Sequence, residues 1–369
     1  MKKNNVKYLF FCSIVYSHIL CSSLQTETTT YPDFETTSQF FNAVEQGNIQ
    51  DAKNLLLKGT IPKDICNGVG DTALIVAIKN QKREMIQFLI EQGFDKNERN
   101  CLEESAIEIA VQQNYNDAIK DLCCLGNQPL DVSVTDRLQN TPLHIMADKD
   151  NYIGICILLM HAKADPEKRN YLGCTPLHTA CARGALNAVK CLLSLTRNNG
   201  IRYYTSDPYR SPSYWATPDN AGRSPLYWAI ANENYDVAEK LVQEGVKIDS
   251  PNHKYETVLE LFIKQGNARA VKKLLNFGAS AHTPYGDLLI YTAAKYGHAD
   301  IIKIMLDAGI DKNAQTRYAG NTVLHNAVNT GSVKMVRMLL DFGVDKTIKN
   351  FSGKTPLETA QNNMQTYAG

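Results

Sequence analysis

Residues 171–193 read YLGCTPLHTACARGALNAVKCLL, and this stretch decides how the rest of the chain is organised. Thr175 can cap a helix through its hydroxyl, and Pro176 suits the first helical turn, where its missing N–H leaves nothing unpaired. Leu177, Ala180 and Cys181 then fall at i, i+3 and i+4, which makes one apolar face. Gly184 supplies the left-handed residue that ends this short helix. Val189, Leu192 and Leu193 repeat the spacing on a second helix. Two helices this short cannot bury their apolar faces on each other alone, so the unit needs neighbours.

The chain contains them. The position of Thr175 recurs at Thr72, Ser105, Thr141, Ser224, Thr257, Leu288, Thr322 and Thr355, in steps of 33, 36, 34, 49, 33, 31, 34 and 33 residues. Five residues beyond each stands alanine in seven of nine cases, where a small side chain lets paired helices approach; Met146 and Phe262 are the exceptions. The tetrapeptide TPLH is intact at Thr141–His144 and Thr175–His178, with TVLH at Thr322–His325 and TPLE at Thr355–Glu358. With this period and signature the chain resembles the ankyrin-repeat family over roughly residues 38–369. The resemblance implies an all-α solenoid of about 9–10 helix-turn-helix units with short β-hairpin loops. It also implies a non-enzymatic scaffold for protein–protein interaction, binding through a concave face and its hairpin tips.

Composition narrows the function classes. In a chain of 369 residues, a hydrophobic content of 44% is ample for a continuous core. Lys plus Arg number 39 against 38 Asp plus Glu, so no basic surplus draws in nucleic acid or anionic lipid. The ten cysteines show neither CxxC spacing nor a metal-ligand pattern. Cys123, Cys124, Cys181 and Cys191 occupy apolar helix positions and read as small hydrophobes in a reduced protein.

Taken in order, residues 1–23 stand apart from the repeats. Lys2, Lys3 and Lys7 precede an apolar run of 14 residues, Tyr8–Cys21. That run is short of the roughly 20 residues of a membrane span and fits the core of a secretory signal. Cleavage after Ser23 is one reading, which makes the protein secreted or periplasmic; lipid attachment at Cys21, giving an anchored periplasmic or surface protein, is a second, and an uncleaved N-terminal tail a third. After signal removal no membrane span is expected. Residues 24–37 form a polar, Thr-rich flexible leader, and the solenoid follows over 38–369. Lys163 stands where Gly93, Gly126, Gly245, Gly278, Gly309 and Gly343 close other second helices. Met146, Phe262 and Lys163 are therefore expected to loosen the stack locally or to alter its curvature. The step of 49 marks an insertion over 197–220, RNNGIRYYTSDPYRSPSYWATPDN.

No HExxH, GxSxG, phosphate-binding glycine loop or GxGxxG is found, so catalytic, cofactor and metal residues are all assigned as none. One histidine per repeat (His144, His178, His325) cannot converge on a single ion when packed helices lie about 8–10 Å apart. In the family this histidine is similar to a structural hydrogen-bonder between repeats; Tyr227 and Tyr291 hold the same slot. Partner-binding candidates are Tyr171, Leu172 and Tyr318 on hairpin tips, Arg183 and Tyr296 at helix ends, and Arg202, Tyr203, Tyr204, Tyr209, Arg210, Tyr214 and Trp215 in the insertion. Binding hot spots are enriched in Trp, Tyr and Arg. The insertion reads equally as a binding loop or as cover for apolar surface exposed where the spacing breaks. The expected partner is one or more proteins, bound by a monomer.

Overall fold

The computed structural model describes residues 33–59, 61–198, 215 and 217–367. Among these residues nineteen helices form nine consecutive pairs and a single terminal helix, Pro356–Tyr367. The fold is the mostly helical repeat solenoid expected of the sequence. Two compact units divide it after Asp95.

The first unit holds the pairs Phe34–Gln46 with Ile49–Leu57 and Ala73–Lys79 with Arg83–Glu91. Asp33 caps the opening helix by accepting from Thr36 N–H at 2.6 Å. Phe40 is fully buried and stacks on Phe94, with ring centroids 6.1 Å apart.

The second unit holds seven pairs and the terminal helix. Their first helices are Ala106–Gln112, Pro142–Asp148, Pro176–Arg183, Pro225–Ala231, Val258–Gln265, Leu289–Lys295 and Val323–Asn329. The second helices are Asn116–Cys124, Tyr152–Met160, Leu186–Asn198, Tyr235–Gln243, Ala268–Asn276, Ala299–Asp307 and Val333–Asp341. Packing is between neighbours: Pro176–Arg183 lies on Pro142–Asp148 before it and Pro225–Ala231 after it. The stack is therefore continuous across the insertion. Helix Leu186–Asn198 takes in residues 197 and 198, and Asp219 and Asn220 belong to the next regular turn, so 199–218 lie between regular elements.

Three devices hold the register. First, each loop opens on a side chain that folds the turn beneath itself. Asn67, Asn100, Asp136, Asn170, Asp219, Asn252 and Asn350 each accept two backbone N–H groups, two and four residues on, at 2.8–3.1 Å. Such Asx turns supply locally the bonds that a ladder would otherwise give. Accordingly the hairpin loops narrow to single antiparallel bridges in three places: Cys66 with Thr72, Arg99 with Ser105 and His282 with Leu288.

Second, three buried histidines each tie their repeat to the next. His144 Nδ1 accepts from Thr141 N–H at 3.2 Å, which leaves Nε2–H to donate to Cys174 O at 2.9 Å in the following repeat. His178 links Thr175 to Arg223 O, and His325 links Thr322 to Lys354 O, in the same way. Both ring nitrogens are committed, so the imidazole is neutral and one tautomer is required. Burial holds His144 below its ordinary pKa and pushes His178 down to about 4.

Third, lysines reach forward to helix ends. Lys96 is buried and its Nζ donates to Leu122 O and Leu125 O at 3.0 and 2.8 Å; Lys312 Nζ donates to Phe342 O at 2.8 Å. Each cation satisfies carbonyls that the C-terminus of a helix leaves unpaired.

The irregular core positions are compensated rather than loose. Met146 is fully buried, and the space it needs comes from Gly154 on the paired second helix, where a Cβ would fall 2.4 Å from Met146 Sδ. Phe262 is buried against Tyr227, stacked at 4.7 Å. Lys163 takes the left-handed conformation that glycine holds elsewhere, at φ 54°. Asp219, itself 2% exposed, anchors the turn after the insertion by accepting from Arg223 Nε at 2.9 Å and Trp228 Nε1 at 3.1 Å.

Two outcomes follow from this packing. Gly154→Ala should destabilise by about 1–2 kcal/mol despite alanine's better helix propensity, because overpacking outweighs the propensity gain. The pair Met146→Ala with Gly154→Ala should cost less than the separate changes summed, as read from urea unfolding of all three variants. The second outcome concerns acid. A histidine whose folded pKa is depressed leaves stability intact above its unfolded pKa, near 6.5, and loses it as pH falls toward 4. His178 alone should remove about 3 kcal/mol across that window. Urea midpoints at pH 7 and pH 4.5 should therefore differ less in His178→Gln than in the parent.

Candidate functional site

The turns that fix the repeats also carry outward-facing side chains one to three residues past the residue that opens each turn. In the second unit Leu102, Leu138, Tyr171, Leu172, Tyr255, Tyr285, Tyr318 and Phe351 are large apolar residues at turn tips, all more than half exposed. Neighbouring tips are joined by backbone: Tyr171 N–H donates to Leu138 O, Asn220 N–H to Leu172 O, and Phe351 N–H to Ala319 O, at 3.0–3.1 Å. The aromatic tips are therefore held in a row. Tyr255 and Tyr285 have ring centroids 5.8 Å apart, and the Arg317 guanidinium lies 5.9 Å from the Tyr318 ring. The Phe351 ring lies over Gly320, where any Cβ would fall 2.3 Å from it.

Behind this row, between helices Leu289–Lys295 and Val323–Asn329, lies a cleft of about 390 Å³. Asp287, Tyr291, Lys295, Thr316, Tyr318 and Thr330 contribute to its walls. Tyr291 is 9% exposed, and its hydroxyl is the buried side-chain polar atom that lacks a hydrogen-bond partner among the described residues. Burial, with Asp311 and Asp287 nearby, holds the phenol above its usual pKa, so it stays a protonated donor.

The slot three residues beyond the cap explains the orphan. In the His repeats, Nε2–H reaches the next repeat's carbonyl. In the repeat of Tyr227, the hydroxyl accepts from Gln265 Nε2 at 2.9 Å, again from the next repeat. Gln265 stands eight residues past its cap; the residue eight past Thr322 is Thr330. Its hydroxyl turns back to Ala327 O at 2.9 Å, and its side chain is too short to meet Tyr291.

Profiles described as "Ankyrin repeats (3 copies)" match residues 40–136, 110–207, 143–252 and 244–316, and one described as "Ankyrin repeats (many copies)" matches 315–360. The chain belongs to the ankyrin-repeat family. It is 27% identical over 180 residues to the transient receptor potential cation channel subfamily A member 1 of Homo sapiens, covering 49% of this chain and 15% of that protein. Identity to NF-kappa-B inhibitor zeta of Mus musculus is 25% over 327 residues, 82% of this chain and 40% of the other. The neurogenic locus notch homolog protein 1 of Mus musculus is 31% identical over 158 residues, 43% and 6% of the two chains. The chain spans less than half the length of each of these relatives. Among solved structures, the ankyrin repeat domain of Bcl-3 matches with 21% identity and a TM-score of 0.42, over 73% of this chain and 97% of the other. Ankyrin repeats generally mediate protein–protein interaction, on a fold that is typically non-enzymatic. Among the described residues no helix is long and apolar enough to cross a membrane, and no group of three or more His, Cys, Asp and Glu could hold a metal ion.

In this ankyrin array the candidate residues separate by place. Tyr171, Leu172 and Tyr318 stand on the exposed row of tips. Tyr296 is half exposed and stacks beside His298, and Arg183 donates through Nε to Asp148 of the preceding repeat. Trp215 is 5% exposed, which takes it off the partner-facing surface and corrects its place among the binding candidates in favour of the covering reading of the insertion. Arg202, Tyr203, Tyr204, Tyr209, Arg210 and Tyr214 lie outside the described residues. Tyr255, Tyr285 and Tyr291 were not singled out from sequence. The signal for the first two is their place within three residues of the Asn252 and Thr283 that open their turns; for Tyr291 it is the missing glutamine one repeat on.

Removing the unpaired hydroxyl with Tyr291→Phe should leave stability unchanged or raise it, because an unbonded buried polar group opposes folding. Thr330→Gln should restore the bond seen at Tyr227 and stabilise by about 1 kcal/mol. Urea unfolding of both variants checks this; the gain from Thr330→Gln should vanish when it is combined with Tyr291→Phe.

Proposed function

We propose that the protein is an exported scaffold that binds another protein through the row of aromatic turn tips Tyr255, Tyr285, Tyr318 and Phe351 and the cleft beside it. The carrying observation is the coincidence of exposed aromatic rings on neighbouring tips with a buried hydroxyl that has no hydrogen-bond partner among the described residues. Tyrosine brings a large contact area at small entropic cost, and such residues dominate binding energies. A partner laid across the tips of four adjacent repeats can also bond the Tyr291 hydroxyl, which the array itself leaves unmatched. Among the relatives, NF-kappa-B inhibitor zeta carries in its name an action on another protein, and that supports the reading by likeness alone. The basic start and apolar run over residues 2–21 support export.

The test is affinity capture from extracellular and cell-lysate fractions, run in parallel with the parent and with Tyr285→Ala/Tyr318→Ala. Both positions are exposed, so the variant should keep its helix content and melting behaviour. Proteins held through the tips should bind the variant at least about 30-fold more weakly, the loss expected when two hot-spot rings are truncated. An identical set retained at equal strength by both forms would refute the assignment of the tips.

A further inference from the structure

The second helices Tyr152–Met160 and Leu186–Asn198 pack side by side in neighbouring repeats, and each carries a cysteine on the shared face. Cys156 Sγ and Cys191 Sγ are 3.0 Å apart, about 1 Å beyond a covalent S–S bond. Cys191 is 8% exposed and its thiol also lies 3.6 Å from Tyr152 O, whereas Cys156 is half-buried and within reach of solvent. We propose that Cys156 and Cys191 are a vicinal dithiol that a small-molecule disulfide oxidises to an interhelical disulfide, a modification site that staples two adjacent repeats.

The order of the step follows from access. Burial raises the Cys191 thiol above its ordinary pKa, so the more open Cys156 provides the first thiolate. That thiolate attacks one sulfur of oxidised glutathione, forming a mixed disulfide and expelling one glutathione thiolate. The Cys191 sulfur, already in contact, then attacks Cys156 Sγ, forms the interhelical bond and expels the second glutathione. Two electrons pass from the protein to the oxidant, and the two cysteine protons end on the two released thiols. The closed loop spans 35 residues and includes the turn at Asn170, so it covers the junction where one repeat begins to lean on the next. In an oxidising compartment the pair closes into the interhelical staple. In a reducing one, the pair stays as two packed thiols.

The experiment uses the full chain, reduced and then equilibrated with oxidised glutathione at pH 8. Non-reducing tryptic mapping should recover peptide 150–163 joined to peptide 191–197, separable by dithiothreitol. Thiol titration under denaturing conditions should fall by two, and the thermal midpoint should rise by about 5 °C. Cys156→Ala and Cys191→Ala should each abolish both the linked peptide and the thermal gain while keeping the helical spectrum of the reduced parent. Recovery of the two peptides only as separate glutathione adducts, or of Cys191 bridged to another cysteine, would overturn the proposal. A thermal gain that persists in Cys156→Ala would overturn it too.

Discussion

The whole array depends on one buried slot, three residues past the start of each first helix. A short helix leaves its first N–H groups unpaired, and in the three repeats with histidine in the slot that side chain answers the need while reaching forward to the next repeat. Imidazole is well suited because its two nitrogens face opposite ways. One accepts from the cap residue's N–H, and the other donates to a carbonyl about 30 residues along the chain, as His144 does to Cys174. A local requirement for helix initiation thus becomes a contact between repeats. This converts a set of marginal helical hairpins into a cooperative stack.

Much of that logic is legible in the chain, because the cap, the histidine and the alanine five residues on recur at steps close to 33. Other parts are legible only once the bonds are known. The Asx that opens each turn stands five residues before the cap in seven loops, yet nothing in its identity distinguishes it from ordinary surface polarity. Gly154 resembles a careless glycine within a helix until Met146 is placed opposite it. Lys96 reads as a solvated surface charge, whereas it is 2% exposed and closes a helix two elements away. In each case the meaning lies in a partner about one repeat distant, and a single chain read locally carries no pointer to it. Trp215 fails for the related reason that an aromatic in an irregular segment has the same composition whether it faces inward or outward.

The exceptions to the slot's logic are informative because they gather in one place. The repeat that starts at Leu288 has no hydroxyl at its cap. Its turn opens on Thr283 in place of an Asx, and so does the next, on Thr316. That next turn holds one residue more between its opening side chain and its cap than the other turns do. Tyr291 fills the slot but finds nothing in the following repeat. Natural sequences break local consistency mostly where function asks for it, and compensate elsewhere. Met146 and Phe262 are compensated here, the one by Gly154 and the other by stacking on Tyr227. The departures around Tyr291 are not compensated within the chain, and they adjoin the exposed rings of Tyr285 and Tyr318. On the binding reading proposed above, the donor that the described residues leave unanswered, at the foot of the aromatic row, is met by a group of the partner.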